Sequence, residues 1–181
     1  TNLRDLRAFI RFPLALYRGN PCYVPTLFSD DYNTLRRDKN PAFEYCQARY
    51  WLAWRGGQIV GRVAAILNRG HISKWKQNYL RFGWLDFVED PAVLAALMQQ
   101  VEAWAAELGV SAVHGPLGFT DMDREGMLVE GFDQPGTMIT YYNHPYYPAY
   151  LEKLGYVKDV DWVEYEIQVP PQTNPQIARL A

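Results

Sequence analysis

Residues 79–114 read YLRFGWLDFVEDPAVLAALMQQVEAWAAELGVSAVH, and the order of elements in this stretch decides the fold. Tyr79 to Val88 is rich in aromatic and apolar residues and predicts a strand. Asp90 then offers a side-chain acceptor to the free N–H groups of a starting helix, and Pro91 suits the first helical position, where its missing N–H removes no bond. From Pro91 to Leu108, Leu94, Leu97, Met98, Val101, Trp104, Ala105 and Leu108 form one apolar stripe, while Gln99, Gln100, Glu102 and Glu107 face away. Gly109 ends this helix, and Val110 to His114 predicts a short buried strand.

Working outward, Arg49 to Arg55 and Gln58 to Leu67 are aromatic and β-branched and flank Gly56-Gly57, a pair that accepts the positive φ angles of a tight hairpin turn. Leu3, Leu6, Phe9, Ile10 and Leu14 recur at helical spacing, so a helix opens the chain between Leu3 and Tyr17, with Pro13 as a kink point. The proline-bearing stretch Pro21 to Phe43 is a surface crossing with a short helix around Asp31 to Arg37. Beyond His114, Gly115-Pro116 opens a long glycine-punctuated loop reaching Asn143, and loops of that length tend to be functional. A second helix spans Pro145 to Leu154 and ends at Gly155. Val163, Tyr165, Ile167 and Val169 then alternate with Glu164, Glu166 and Gln168 as a half-buried strand should. The expected class is α/β in the α+β sense: a mostly antiparallel mixed central sheet flanked by helices. Residues 1–170 form one domain, and 171–181 read as a tail or linker toward a further region.

The 181 residues are 49% hydrophobic, enough for one core without staples. Eighteen Lys and Arg nearly balance 20 Asp and Glu, so no field concentrates nucleic acid or anionic membrane. Cys22 and Cys46 lack CxxC spacing, which opposes a disulfide framework or zinc knuckle and suits free thiols in a reducing cytosol. No apolar run approaches the roughly 20 residues that cross a bilayer, and the expected location is cytoplasmic. His71, His114 and His144 lack paired ligand spacing, so no metal is expected. Phosphate loops, Walker signatures and nucleophile elbows are absent, which leaves hydrolases and NTPases without support.

Several motifs carry a resemblance. Phe82 to Phe87 leading into the Pro91 helix, Val110 to His114, and above all Tyr150-Leu151-Glu152-Lys153-Leu154-Gly155-Tyr156 resemble the GNAT superfamily of acyl-CoA-dependent N-acyltransferases. Arg11-Phe12-Pro13, Gly19-Asn20-Pro21, Val24-Pro25, Gly61-Arg62-Val63-Ala64, His114-Gly115-Pro116 and Leu128 to Asp133 are similar to a poorly characterised bacterial acetyltransferase-like branch. Members of that branch are commonly longer, with a second acyltransferase-like domain. The resemblance implies acetyl-CoA or another acyl-CoA as co-substrate and a small-molecule amine as acceptor.

The resemblance also assigns residues. Asp86 lies on the strand that presents a general base, against the alternative of an outward-facing strand residue. Tyr147 or Tyr150 would protonate the leaving thiolate, although the usual tyrosine position aligns on Leu151. The pantetheine arm would lie against backbone near Asp86, Phe87 and Val88 and near Ser111 to His114, and Asn143 stands close to an asparagine that faces the cofactor. One departure is pronounced: Val88-Glu89-Asp90-Pro91-Ala92-Val93 replaces the glycine-bearing pyrophosphate loop, putting two acids and a proline where bare N–H groups normally hold phosphate. Two readings follow. One is an N-acyltransferase moving an acyl, foremost an acetyl, group to an amine; the other is a non-catalytic acyltransferase-like domain that binds a ligand or packs against a partner. Thr120 to Gly126, three acids beside Arg124, reads as an amine-binding segment or a solvated turn, and the phenol-rich run Tyr141 to Tyr147 as a contact surface or sheet packing.

Overall fold

The computed structural model of the chain describes residues 2–168. Its elements in chain order are helix α1 (Leu3–Leu16), helix α2 (Phe28–Thr34), a 3-10 turn (Pro41–Glu44), strands β1 (Cys46–Arg55) and β2 (Gln58–Asn68), helix α3 (Arg69–Trp75), strand β3 (Tyr79–Phe87), helix α4 (Pro91–Leu108), strand β4 (Ala112–His114) and helix α5 (Tyr146–Lys153). Among the described residues there is one four-stranded sheet in the order β1-β2-β3-β4. The first two pairings are antiparallel and β3 with β4 is parallel, as the mixed-sheet expectation requires. Gly56 and Gly57 have φ of 54° and 79°, the left-handed turn foreseen for the β1–β2 hairpin.

Two apolar layers sandwich this sheet. On one face Val63, Ala65 and Leu67 of β2 and Leu80, Phe82, Leu85 and Phe87 of β3 meet Leu94, Leu97, Met98 and Val101 of α4, with Tyr147 and Leu151 of α5. On the other, Ala64, Ile66 and Trp84 meet Leu6, Phe9 and Ile10 of α1 and Phe119 of the long loop. Each fully buried Leu, Ile or Phe contributes roughly 1.5–3 kcal/mol over its exposed state, so these layers fix the helices to the sheet. Asp90 caps α4 by accepting from the Ala92 N–H at 2.8 Å, and Gly109 closes the helix at φ 66°, both as read from the sequence.

Several expectations are revised. Helix α2 starts earlier than Asp31, because Leu27 accepts the first helical bonds from Asp30 and Asp31. Helix α3 has no apolar stripe to announce it and is held by the Asn68 side chain, which accepts from the His71 N–H. Strand β4 spans only Ala112–His114 and is not buried, because α4 covers little of this edge and Ala112 is exposed. The strand expected from Val163 onward is not formed in its described part: Val163, Tyr165 and Ile167 are 70%, 82% and 82% exposed and pair with no strand among the described residues. Val169, Pro170-Pro171 and the proposed tail lie outside the described residues.

Candidate functional site

A bulge in β3 creates the site. Arg62 stands opposite Asp86 and Ala64 opposite Gly83, so two steps along β2 match three along β3. The extra residue is absorbed at Trp84, whose φ is 45°. Strict alternation would put Phe82 and Leu85 on opposite faces; with the bulge both face α4. Trp84 and Asp86 consequently point to the α1 side. The Tyr141 hydroxyl accepts from the Trp84 N–H at 3.2 Å, satisfying backbone that the bulge takes out of the ladder.

Asp86 is 5% exposed and fully engaged. Arg62 donates from Nε to its Oδ2 at 2.8 Å and brings Nη2 within 2.7 Å of the same oxygen, while the Tyr17 hydroxyl donates to Oδ1 at 2.8 Å. Tyr17 and Tyr147 hydroxyls lie 3.0 Å apart, and the Tyr147 hydroxyl accepts from the Phe87 N–H at 2.9 Å. Burial, reinforced by the Asp86 charge, pushes the pKa of both tyrosines far above the ordinary phenol value, so both remain protonated donors. The cluster joins α1, β2, β3 and α5 through one buried carboxylate.

Beside this cluster an open cleft of about 630 Å³ is lined by Leu16, Val88, Glu89, His144, Pro145 and Tyr146. It opens where β3 leaves the sheet, past its three-residue pairing with β4. His144 lies between aromatic rings, 4.8 Å by centroid from Tyr17 and 5.3 Å from Tyr146. Burial lowers its pKa against the opposing pull of Asp86 and Glu89, which favours the neutral imidazole.

The structure thus brings Asp86, Tyr147, Phe87 and Val88 together. Asp86 is the inward-facing residue of the two alternatives, but it does not line the cleft; it reaches toward it only through Tyr17. Tyr147 is 1% exposed and also behind the cleft wall. Tyr150 is half-buried, its ring near those of Phe87 and Tyr146. The backbone of Phe87 is not free: its N–H goes to Tyr147, and its carbonyl accepts from the Tyr146 hydroxyl at 2.6 Å. Val88 lines the cleft with its side chain while its N–H donates to the Val60 carbonyl. Asn143 is buried and clamps the long loop, accepting from the Leu128 N–H at 2.7 Å and donating to the Leu128 carbonyl at 3.1 Å. Sequence reasoning missed Tyr17, Arg62 and the cleft position of His144. No local pattern signals them, because they come from α1, β2 and the end of the loop.

The start of α4 differs from a phosphate cradle. The Asp90 carboxylate sits on the Ala92 N–H and pairs with Arg55 at 2.6 Å, so it already occupies the helix N-terminus. Glu89 is exposed beside the cleft and has no ion pair among the described residues. The helix start therefore does not fit the usual seat for an acyl-CoA pyrophosphate, and the Phe87 and Val88 backbone groups expected to meet the pantetheine arm are already bonded within the protein. The acidic turn 120–126 closes on itself, Asp123 accepting from the Thr120 N–H and Arg124 lying over the Tyr141 ring. No metal-ligand cluster and no helix long and apolar enough to cross a membrane occur among the described residues.

Comparison with known proteins places these features in context. No family model matches the chain. It is 36% identical over 180 residues to the protein YghO of Escherichia coli, covering 99% of this chain and 46% of that protein. It is 28% identical over 173 residues to the bacterial ceramide synthase of Caulobacter vibrioides, covering 90% and 42% respectively. The chain thus spans about half the length of the curated relatives it matches. Among solved structures, a predicted acetyltransferase with acetyl-CoA from Clostridium acetobutylicum superimposes with a TM-score of 0.53 at 10% identity, over 92% of both chains. A probable acetyltransferase superimposes with a TM-score of 0.50 at 11% identity, over 95% of this chain and 97% of that one. The fold is that of the GNAT-type acyl-CoA N-acyltransferases.

Proposed function

We propose that this chain supplies the acyl-transfer site of an acyl-CoA-dependent N-acyltransferase, which moves an acyl group from the thioester to an amine. The observation that carries this reading is the cleft at the end of β3, set directly against the buried Asp86–Tyr17–Tyr147 cluster. The ceramide synthase similarity supports an acceptor of the amine class and an acyl group longer than acetyl, ceramide being an N-acylated amino alcohol. The thioester would be held in the cleft lined by Val88, Glu89, His144 and Tyr146. Asp86 works through Tyr17: its carboxylate holds that hydroxyl, which in turn orients Tyr147. Of the two tyrosines suited to protonate the departing thiolate, Tyr150 needs no rearrangement of buried hydrogen bonds and Tyr147 does.

A second reading has its own support. Because Asp90 and Arg55 close the helix N-terminus, the domain would hold a ligand or a partner, such as a second acyltransferase-like domain in a polypeptide as long as its relatives, without catalysis. Calorimetric titration with acetyl-CoA and palmitoyl-CoA, with coenzyme A as control, separates the two. Saturable binding that favours the acylated forms, followed by thiol release when an amine is added, supports the enzyme. Folded protein that binds neither donor supports the partner domain.

A further inference from the structure

We propose that His144 is the proton acceptor for the incoming amine and that Glu89, across the cleft, draws that amine in as its ammonium. This inference rests on the acyltransferase reading above and adds the residues that touch the acceptor. Three observations converge on it. His144, Glu89 and Tyr146 are the ionisable residues that line the cleft, and Tyr146 already donates its hydroxyl to the Phe87 carbonyl. Asp86, the carboxylate behind the wall, already accepts from Arg62 and Tyr17 with both oxygens and cannot reach the cleft without breaking that buried pair. Glu89 is exposed and has no ion pair among the described residues, so its charge is directed at whatever enters.

The surroundings of His144 suit the role. Its ring is held between Tyr17, which ends α1, and Tyr146, which begins α5, so it has little freedom to swing away. The groups facing it are Asp86 of β3, Glu89 just beyond β3, Tyr17 and the Leu16 carbonyl from α1, and Tyr146 and Tyr147 of α5. All three tyrosines stay protonated, because burial raises each above the ordinary phenol value. The two carboxylates stabilise an imidazolium once it forms, while burial keeps the resting ring neutral. The ammonium drawn in by Glu89 first releases one proton to solvent, and as the resulting neutral amine nitrogen bonds to the thioester carbonyl carbon, one further N–H proton passes to the free ring nitrogen. The carbon–sulfur bond then breaks, the thiolate takes a proton from a tyrosine hydroxyl, and the imidazolium returns its proton to that phenolate through solvent. The products are the amide, the thiol and the one proton that the ammonium gave to solvent.

The test uses the full polypeptide with palmitoyl-CoA as donor and sphinganine as acceptor, following thiol release from pH 5 to 9. The expected result for His144→Gln is a kcat lower by about 10²-fold or more, loss of the acid limb that the wild type shows below the ordinary imidazole range, and an unchanged KM for palmitoyl-CoA. Glu89→Gln, on an exposed position that leaves folding intact, is expected to raise KM for the amine and leave that for the thioester alone. Partial rescue of His144→Ala by added imidazole would support the proton-acceptor role against a packing role. An active His144→Gln enzyme that keeps the wild-type acid limb overturns this inference and leaves the acyltransferase reading standing. A folded wild type that binds palmitoyl-CoA but releases no thiol with sphinganine, dodecylamine or spermidine overturns both.

Discussion

Arg62 donates from Nη1 to the Phe9 carbonyl at 2.9 Å, and that is the carbonyl which Pro13, having no N–H, leaves without its helical partner. One side chain of β2 therefore mends α1, and with its other nitrogens neutralises Asp86 of β3. Proline inside α1 is tolerated because a guanidinium reaches its gap, and the buried carboxylate is tolerated for the same reason.

Replacing Arg62 by Met should destabilise the fold by about 3–5 kcal/mol, because it strands a buried carboxylate rather than removing a pair. The double variant Arg62→Met with Asp86→Leu should recover much of that loss. Urea denaturation of both variants and the wild type measures both effects, and a single variant as stable as wild type would contradict the geometry.

Gly83→Ala should cost about 1–3 kcal/mol by overpacking. A Cβ there would run into the Leu117 carbonyl, and that segment cannot retreat easily because the Leu117 N–H is bonded to the Phe82 carbonyl at 2.7 Å. Thermal unfolding should show the loss, whereas Gly155→Ala, with open space around its Cβ, should suffer only from its φ of 91°.

Acid should loosen the β4 edge through His114. Burial, together with the charges of Arg81 and His71, pulls its pKa down to about 4, against a weak opposing effect of Asp159. The folded-state value lies below the ordinary 6.5, so the unfolded chain binds this proton first. Stability is then fully present above about pH 6.5 and declines as pH falls toward 4. Denaturant midpoints measured across that window should fall for the wild type and fall less steeply for His114→Asn.

The double change Glu89→Gly with Asp90→Ser should tighten acetyl-CoA binding. Serine keeps a capping acceptor for α4, while Arg55 loses its carboxylate partner and becomes free to meet phosphate. Calorimetry reads the result directly. Unchanged affinity would mean that these two acids do not block the pyrophosphate.

Much of the architecture was legible along the chain. The stripe from Leu94 to Leu108 ended where Asp90 and Gly109 said it would, because capping and amphipathic period are local properties. Gly56-Gly57 announced its hairpin for the same reason. Asp86 and Tyr147 were named as site residues and do meet in one cluster, yet neither faces the cleft alone. The strand foreseen at Val163 had the right period and found no neighbour among the described residues, and an alternating pattern needs a partner strand before it becomes sheet.

By itself, the sequence determined the periods, caps and turns, and through them the opening helix, the β1–β2 hairpin, β3, α4 and α5 in their order. Only the tertiary structure decided which face Asp86 takes, since one extra residue at Trp84 reverses the alternation and nothing in the local pattern marks it. It also decided that Arg62, Tyr17 and Asp86 share one hydrogen-bond network and that His144 and Glu89 line one cleft. Those contacts join residues 24 to 69 positions apart, and the low dielectric that makes a buried carboxylate demand its partners exists only once the layers have closed around it.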